Sequence, residues 1–126
     1  MDGAVLDHLE SLGPPLVGVH GNVDRPAVVA RLPRRRTVEL GGVRIGMVHD
    51  AGPAKGRLER QRVAFGDCAA VVFGHSHIPV HEISADGAFQ LFNPGSPTDR
   101  RRQPRHTMGA ATIAGGVVAF SHIALD

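Results

Sequence analysis

Two imidazoles stand at i and i+2 in the stretch "VVFGHSHIPV", at His75 and His77. An apolar run that closes on glycine and histidine reads as a buried strand that stops and turns sharply. Three further segments repeat the pattern, an apolar run followed by Gly, Asn or His: "VGVHGNVD" (17–24), "IGMVHDAG" (45–52) and "LFNPGS" (91–96). In α/β sheets, sites form where the carboxyl ends of neighbouring strands converge. Asn22, His49, His75 and His77 are therefore expected in one cleft. Imidazole nitrogen and amide oxygen suit borderline divalent metals such as Mn, Fe, Ni or Zn. A His-x-His just past a strand can send one ring to each of two ions. Two ions about 4 Å apart clamp a phosphoryl group and activate water for attack on it.

Each signal alone is weak. An isolated His-x-His is more often structural, Gly-Asn is commonly only a turn, and His49 alone would pass for a hydrogen-bonded core histidine. Their joint appearance, in order and on strand ends, is what points to a metal site. His8, His81, His106 and His122 lack that context and read as surface or packing residues. His20, just before Gly-Asn, is a candidate for facing substrate. Cys68 precedes an apolar run and reads as buried and inert.

The elements that must position these residues follow from periodicity. "DGAVLDHLESLG" has helical spacing at Val5, Leu6, Leu9 and Leu12, with Gly13 as its stop. "PPLVGVHGN" reads as a short strand and "RPAVVARLP" as one helical turn. "RTVELGGVRIGMVHD" predicts two strands joined at Gly41-Gly42. "AKGRLERQRVAFG" predicts a surface helix with Leu58, Val63 and Phe65 inward. "CAAVVFGHSH" predicts a buried strand, and "IPVHEISADGAFQLFNPGS" a strand pair around Asp-Gly followed by a Pro-Gly loop. A last hairpin is expected over Gly115-Gly116. Strands and helices alternate first and strands follow strands later, which predicts a mixed α/β sandwich.

At 126 residues the chain fits one domain, 1–126. Five Phe with no Trp or Tyr leave the core to Val, Leu, Ile and Ala. One cysteine allows no intramolecular disulfide and predicts a reducing compartment. "MDGAVLDHLE" lacks the basic, then apolar, pattern of a signal peptide, and no apolar run reaches the ~20 residues of a membrane span. The expectation is a soluble, cytoplasmic protein without a membrane partner. Net charge is +2, with arginines grouped in "RLPRRR" and "DRRRQPR". Such clusters attract phosphates or simply solvate loops. Without stacking aromatics or a nucleic-acid motif, nucleic acid is not specifically indicated.

"GNVD", "VHD", "FGHSH" and "NPGS", in that order, resemble the calcineurin-like metallophosphoesterases, in particular their small single-domain bacterial phosphodiesterase branch. The resemblance covers nearly the whole chain. It implies an α/β fold, a four-layer αββα sandwich of two mixed β-sheets flanked by helices. It also implies a dinuclear metal site, Mn being the first expectation and Fe, Ni or Zn the others. Carried over by motif, Asn22, His49 and His75 would bind one ion and His77 the other. Asp24 would support the Gly-Asn loop, and Asn93, Pro94 and Gly95 would shape the turn behind the histidines. A phosphate ester is the implied substrate; oligomeric state is left open.

Two departures stand out. The family's His-Gly-His is "HDAG" here, so Asp50 follows His49, either as a loop acid or as a partner behind the ligands. The family's opening Asp-x-His strand and Gly-Asp loop, which supply the bridging carboxylate, have no counterpart. Gly66-Asp67 comes too late in the chain to substitute. The expectation is a domain lacking its first strand–helix–strand unit, with an open apolar sheet edge and with Met1 internal to a longer reading frame. In-frame Asp-x-His and Gly-Asp codons upstream would then be found. Two functions follow from the resemblance: a metal-dependent phosphodiesterase or phosphatase, or a non-catalytic binding or scaffold module, as in the family's membrane-coat branch.

Overall fold

The computed structural model describes residues 3–21 and 24–126. Three helices, α1 (Gly3–Ser11), α2 (Pro26–Arg31) and α3 (Arg57–Ala64), accompany seven strands. The strands are β1 (Arg35–Leu40), β2 (Val43–Val48), β3 (Ala70–Phe73), β4 (Val80–Ile83), β5 (Gln90–Asn93), β6 (Thr107–Ala114) and β7 (Val117–Ala124). The first five form a mixed sheet in the order β1-β2-β3-β5-β4; β6 and β7 form a second, antiparallel pair. The central strands β2, β3 and β5 run parallel, and β1 and β4 flank them antiparallel.

Strand alternation builds two cores. On one face Val71, Phe73 and Leu91 pack with Phe65, Cys68 and Phe89, beneath α3. On the other, Val43, Ile45 and Ala70 meet Val118, with Val72, Ile113 and Phe120 beside them. A two-stranded sheet is marginal alone. Here the β6–β7 hairpin is held by that apolar contact and by ring stacking of Phe120 on Phe92, centroids 4.5 Å apart. The layers are thus helix, five-stranded sheet, hairpin. The first sheet is mixed as expected; the second, among the described residues, is antiparallel. Burial pushes the Cys68 thiol above its usual pKa, which suits the inert role expected of it.

Two expectations need correction. Residues 15–21 form no strand. The segment's main chain is tied instead by His20 N–H to Pro33 O (3.0 Å), Asp24 N–H to Gly21 O (3.4 Å) and Gly21 N–H to Asp24 Oδ2 (2.7 Å). An apolar run becomes a strand only beside a partner, and no strand of the sheet pairs with it. Val63 points outward at 83% exposure, whereas Gln61 and Phe65 are buried. The inward spacing is i, i+4, and Val63 lies midway between them on the opposite face. Gln61 compensates by donating to Ala51 O at 3.1 Å. The outer strands of the five-stranded sheet carry Arg35, Arg36 and Glu39 on β1 and His81 and Glu82 on β4, beside exposed Leu40 on β1 and Ile83 on β4. Further exposed apolar side chains lie on the hairpin (Met108, Val117, Ile123) and on α1 and the residues after it (Val5, Leu9, Leu12, Leu16).

Candidate metal centre

Register brings three strand ends together. Val48 of β2 pairs with Phe73 of β3, and Val72 of β3 with Phe92 of β5. His49, Gly74-His75 and Asn93 therefore leave the sheet side by side. Gly74 N–H donates to His49 O at 2.8 Å, extending the pairing by one step. The rings meet beyond it: His49 Nε2 lies 3.2 Å from His75 Nδ1, with centroids 5.2 Å apart and planes at 81°.

The backbone at His75 is strained. Ser76 N–H donates to Gly74 O at 2.9 Å, closing a three-residue ring around His75, whose φ is 71°. That is the γ-turn of positive φ, the rarer and more strained of its two forms. His77 also has a positive φ, 62°. Such strain persists where the surroundings over-determine it, commonly at functional sites. The clamp is Asn93, which is fully buried. Its amide donates to Gly74 O (3.2 Å) and Ser76 Oγ (3.3 Å), and its Oδ1 accepts from Gly95 N–H (2.9 Å). His122 of β7 reaches Asn93 O with Nε2 at 2.7 Å, so the second sheet braces the same corner.

His49 is packed from the other side by Gly21. A Cβ at Gly21 would fall 2.8–2.9 Å from three ring atoms of His49, closer than side-chain contacts allow. Gly21 N–H donates to Asp24 Oδ2 at 2.7 Å, which fixes the turn. Burial works against a charged Asp24, but the Gly21 N–H among other favourable contacts outweighs it and holds the carboxyl below its usual range. Burial first, and then the neighbouring His75, push the His49 imidazole down, which favours the neutral ring that a metal requires. Gly21→Ala is expected to displace the His49 ring. Divalent-metal affinity should fall tenfold or more, with a stability loss of about 1 kcal/mol. Metal titration beside a thermal melt separates the two effects.

The other predicted residues are placed as follows. Asp50 Oδ1 accepts from Gly52 N–H at 2.8 Å, and its other oxygen lies 4.0 Å from His75 Nε2. His20 and Asp50 share a cavity of about 320 Å³ with Gly21, Arg34, Val48 and His49. His77 sets its Nδ1 against the carbonyl of Asp99. Asn22 lies outside the described residues. His81 bonds Gln90 Oε1 at 2.7 Å and His106 pairs with Asp126 at 2.8 Å, both away from the cleft. Ser76, Arg34 and Asp99 also touch the site; the sequence had marked Arg34 and Asp99 only as members of the stretches "RLPRRR" and "DRRRQPR". Ser76 lay in plain view between the histidines; Arg34 and Asp99 arrive from loops whose paths no local pattern reveals.

The His49–His75 pair fits a metal. Two nitrogens about 2.1 Å from one ion at the tetrahedral angle stand about 3.4 Å apart. The observed 3.2 Å is close to that edge. Both rings face each other from rigid strand ends, and their chemistry suits Mn, Fe, Ni or Zn. Among the described residues, no set of three His, Cys, Asp or Glu side chains is gathered about one point.

Residues 2–116 match the calcineurin-like phosphoesterase superfamily domain, and the chain belongs to that superfamily. It is 32% identical over 100 residues to a probable metallophosphoesterase of Methanocaldococcus jannaschii, a match covering 77% of this chain and 48% of that one. The chain spans about half the length of the curated relatives it matches. Among solved structures it resembles a Thermotoga maritima protein with a TM-score of 0.73 and 30% identity, over 98% of this chain and 74% of that one. Chaetomium thermophilum Vps29 shares the fold, with a TM-score of 0.74 and 23% identity over 97% of this chain and 75% of that one. No described helix is long and apolar enough to cross a membrane.

Proposed function

We propose that the protein is a metal-dependent phosphoesterase, a phosphodiesterase or phosphatase working with two divalent ions, of which Mn is the first choice. The observation that carries this reading is the 3.2 Å approach of His49 Nε2 to His75 Nδ1 across two parallel strand ends, in a chain of this superfamily. His49 and His75 bind one ion, with Asn22 as the third ligand. His77 serves the second ion once its ring leaves the Asp99 carbonyl. Bound divalent ions supply Lewis-acid activation of the ester and of water. Asp24 holds the Gly21 turn against His49, and Asn93 holds the His75 loop. His20 and Asp50 face the substrate from the cavity wall.

The test is hydrolysis of bis(p-nitrophenyl) phosphate with and without Mn²⁺. Turnover is expected only with metal; a chelator removes it and added Mn²⁺ restores it. Turnover indifferent to the chelator would overturn the reading. A second reading, a non-catalytic binding or scaffold module, draws on the lack of a three-residue ligand cluster among the described residues and on the fold shared with Vps29. Stoichiometric Mn²⁺ binding without turnover on any diester or monoester tried would select it.

A further inference from the structure

The two arginine clusters do not form one basic patch. Arg31 is spent on Asp7 and Glu10 of α1 at 2.9 and 3.0 Å. Arg35 donates to Ala64 O at 3.0 Å and lies over the Phe65 ring at 4.4 Å. In the second cluster Arg100 caps Gln103 O at 2.8 Å and Arg105 reaches Asp126 O at 3.1 Å. Arg34 differs. Among the described residues it has no hydrogen-bond or ion-pair partner, and it lines the same cavity as His49 and His20.

Its backbone is nonetheless fixed. Pro33 precedes it with a locked φ, and Pro33 O accepts His20 N–H at 3.0 Å. β1 begins at the next residue. A guanidinium on an anchored backbone, open to a cavity of about 320 Å³ beside a histidine pair, is laid out for a planar two-point grip on an oxyanion. The cavity falls within the range of small-molecule sites, about 300–1,000 Å³, and exceeds what a single phosphate needs. On the His75 side stands the Asp50 carboxylate, 4.0 Å from His75 Nε2. Asp50 lines the same cavity, and Arg34 is the one guanidinium among its described lining residues, the cation there that offsets the carboxylate and receives a second anion.

We propose that Arg34 forms an anion subsite, selecting phosphate esters that carry a second anionic group beyond the one held at the histidines. This rests on the phosphoesterase reading for the position of the first group. The test is an amide-resolved NMR titration of the Zn²⁺-loaded chain with thymidine 3′,5′-bisphosphate and thymidine 5′-monophosphate. Arg34→Gln, Arg34→Lys and the charge control Arg36→Gln are titrated alongside. The bisphosphate is expected to bind the parent at least about tenfold tighter than the monophosphate, the effect of one charge-assisted contact. Arg34→Gln should erase that preference, Arg34→Lys return part of it, and Arg36→Gln keep it. Equal affinities in the parent, a preference surviving Arg34→Gln, or an equal loss in Arg36→Gln would each overturn the subsite. Metal-dependent hydrolysis by the parent is scored separately. Its absence beside an Arg34-dependent preference defeats the enzyme reading alone, and its presence without that preference defeats the subsite alone.

Discussion

Replacing His75 by glycine is expected to lower metal affinity and metal-dependent phosphoester hydrolysis at least about 100-fold while leaving the protein as stable as the parent or slightly more so. Outer partners of a metal ligand are already worth about 10–100-fold, so removal of a ligand should reach at least the top of that range. The stability half of the expectation comes from the backbone. His75 sits at φ 71° inside a γ-turn. A side chain in that conformation costs about 1–3 kcal/mol, and glycine relieves it at an entropic cost of about 0.5–1 kcal/mol. A net gain of about 1 kcal/mol would raise the melting temperature by a few degrees in a domain of this size. His75→Ala separates the two contributions, because it loses the imidazole and keeps the strain. It should show the same loss of metal with no gain in stability. Undiminished Mn²⁺ affinity in both variants would remove His75 from the metal site.

Asn93→Ala should be the most destabilising single change near the site. The side chain is fully buried and makes three hydrogen bonds to the Gly74, Ser76 and Gly95 positions. Truncation leaves Gly95 N–H without that partner, takes one of two bonds from Gly74 O and from Ser76 Oγ, and opens a small void. Each buried group left unpaired costs about 1–3 kcal/mol, so a total of about 3 kcal/mol is expected after partial relaxation. Chemical denaturation should show a lower midpoint at an unchanged slope. Without the clamp the γ-turn opens, and metal-dependent hydrolysis should fall tenfold or more even where the protein is still folded. A loss under about 0.5 kcal/mol would mean that water replaces the amide, and the clamp would then lose its standing.

Both expectations turn on residues visible in the sequence, in "FGHSH" and "NPGS", yet the reason they matter was only partly legible there. The apolar run in "CAAVVF" announced a buried strand, and β3 buries Val71 and Phe73 on one side and Ala70 on the other. Gly41-Gly42 and Gly115-Gly116 announced their hairpins, because paired glycines supply the positive φ that such turns need. Where the pattern depended on a partner, it misled. "PPLVGVHGN" has strand composition but no strand beside it, and it runs as a loop against the Pro33 carbonyl. In α3, a charged helix with few apolar residues, Val63 was drawn inward by its type alone. The i, i+4 spacing of Gln61 and Phe65 decided the buried face.

The sequence by itself determined the chemistry on offer: histidines and an asparagine on turn-forming glycines, in an order that marks one superfamily, with a core of aliphatic strands. Those follow from residue type and near-neighbour spacing, which local sterics and burial enforce. The tertiary structure alone decided which groups meet. Register between β2 and β3 placed His49 and His75 within 3.2 Å, although 26 positions separate them. The same sheet put Asn93 behind the His75 turn, sent His77 to Asp99, and laid Arg34 open on the cavity wall. Contacts between residues distant in the chain are set by how whole strands pair and pack, and no short window of sequence carries that information.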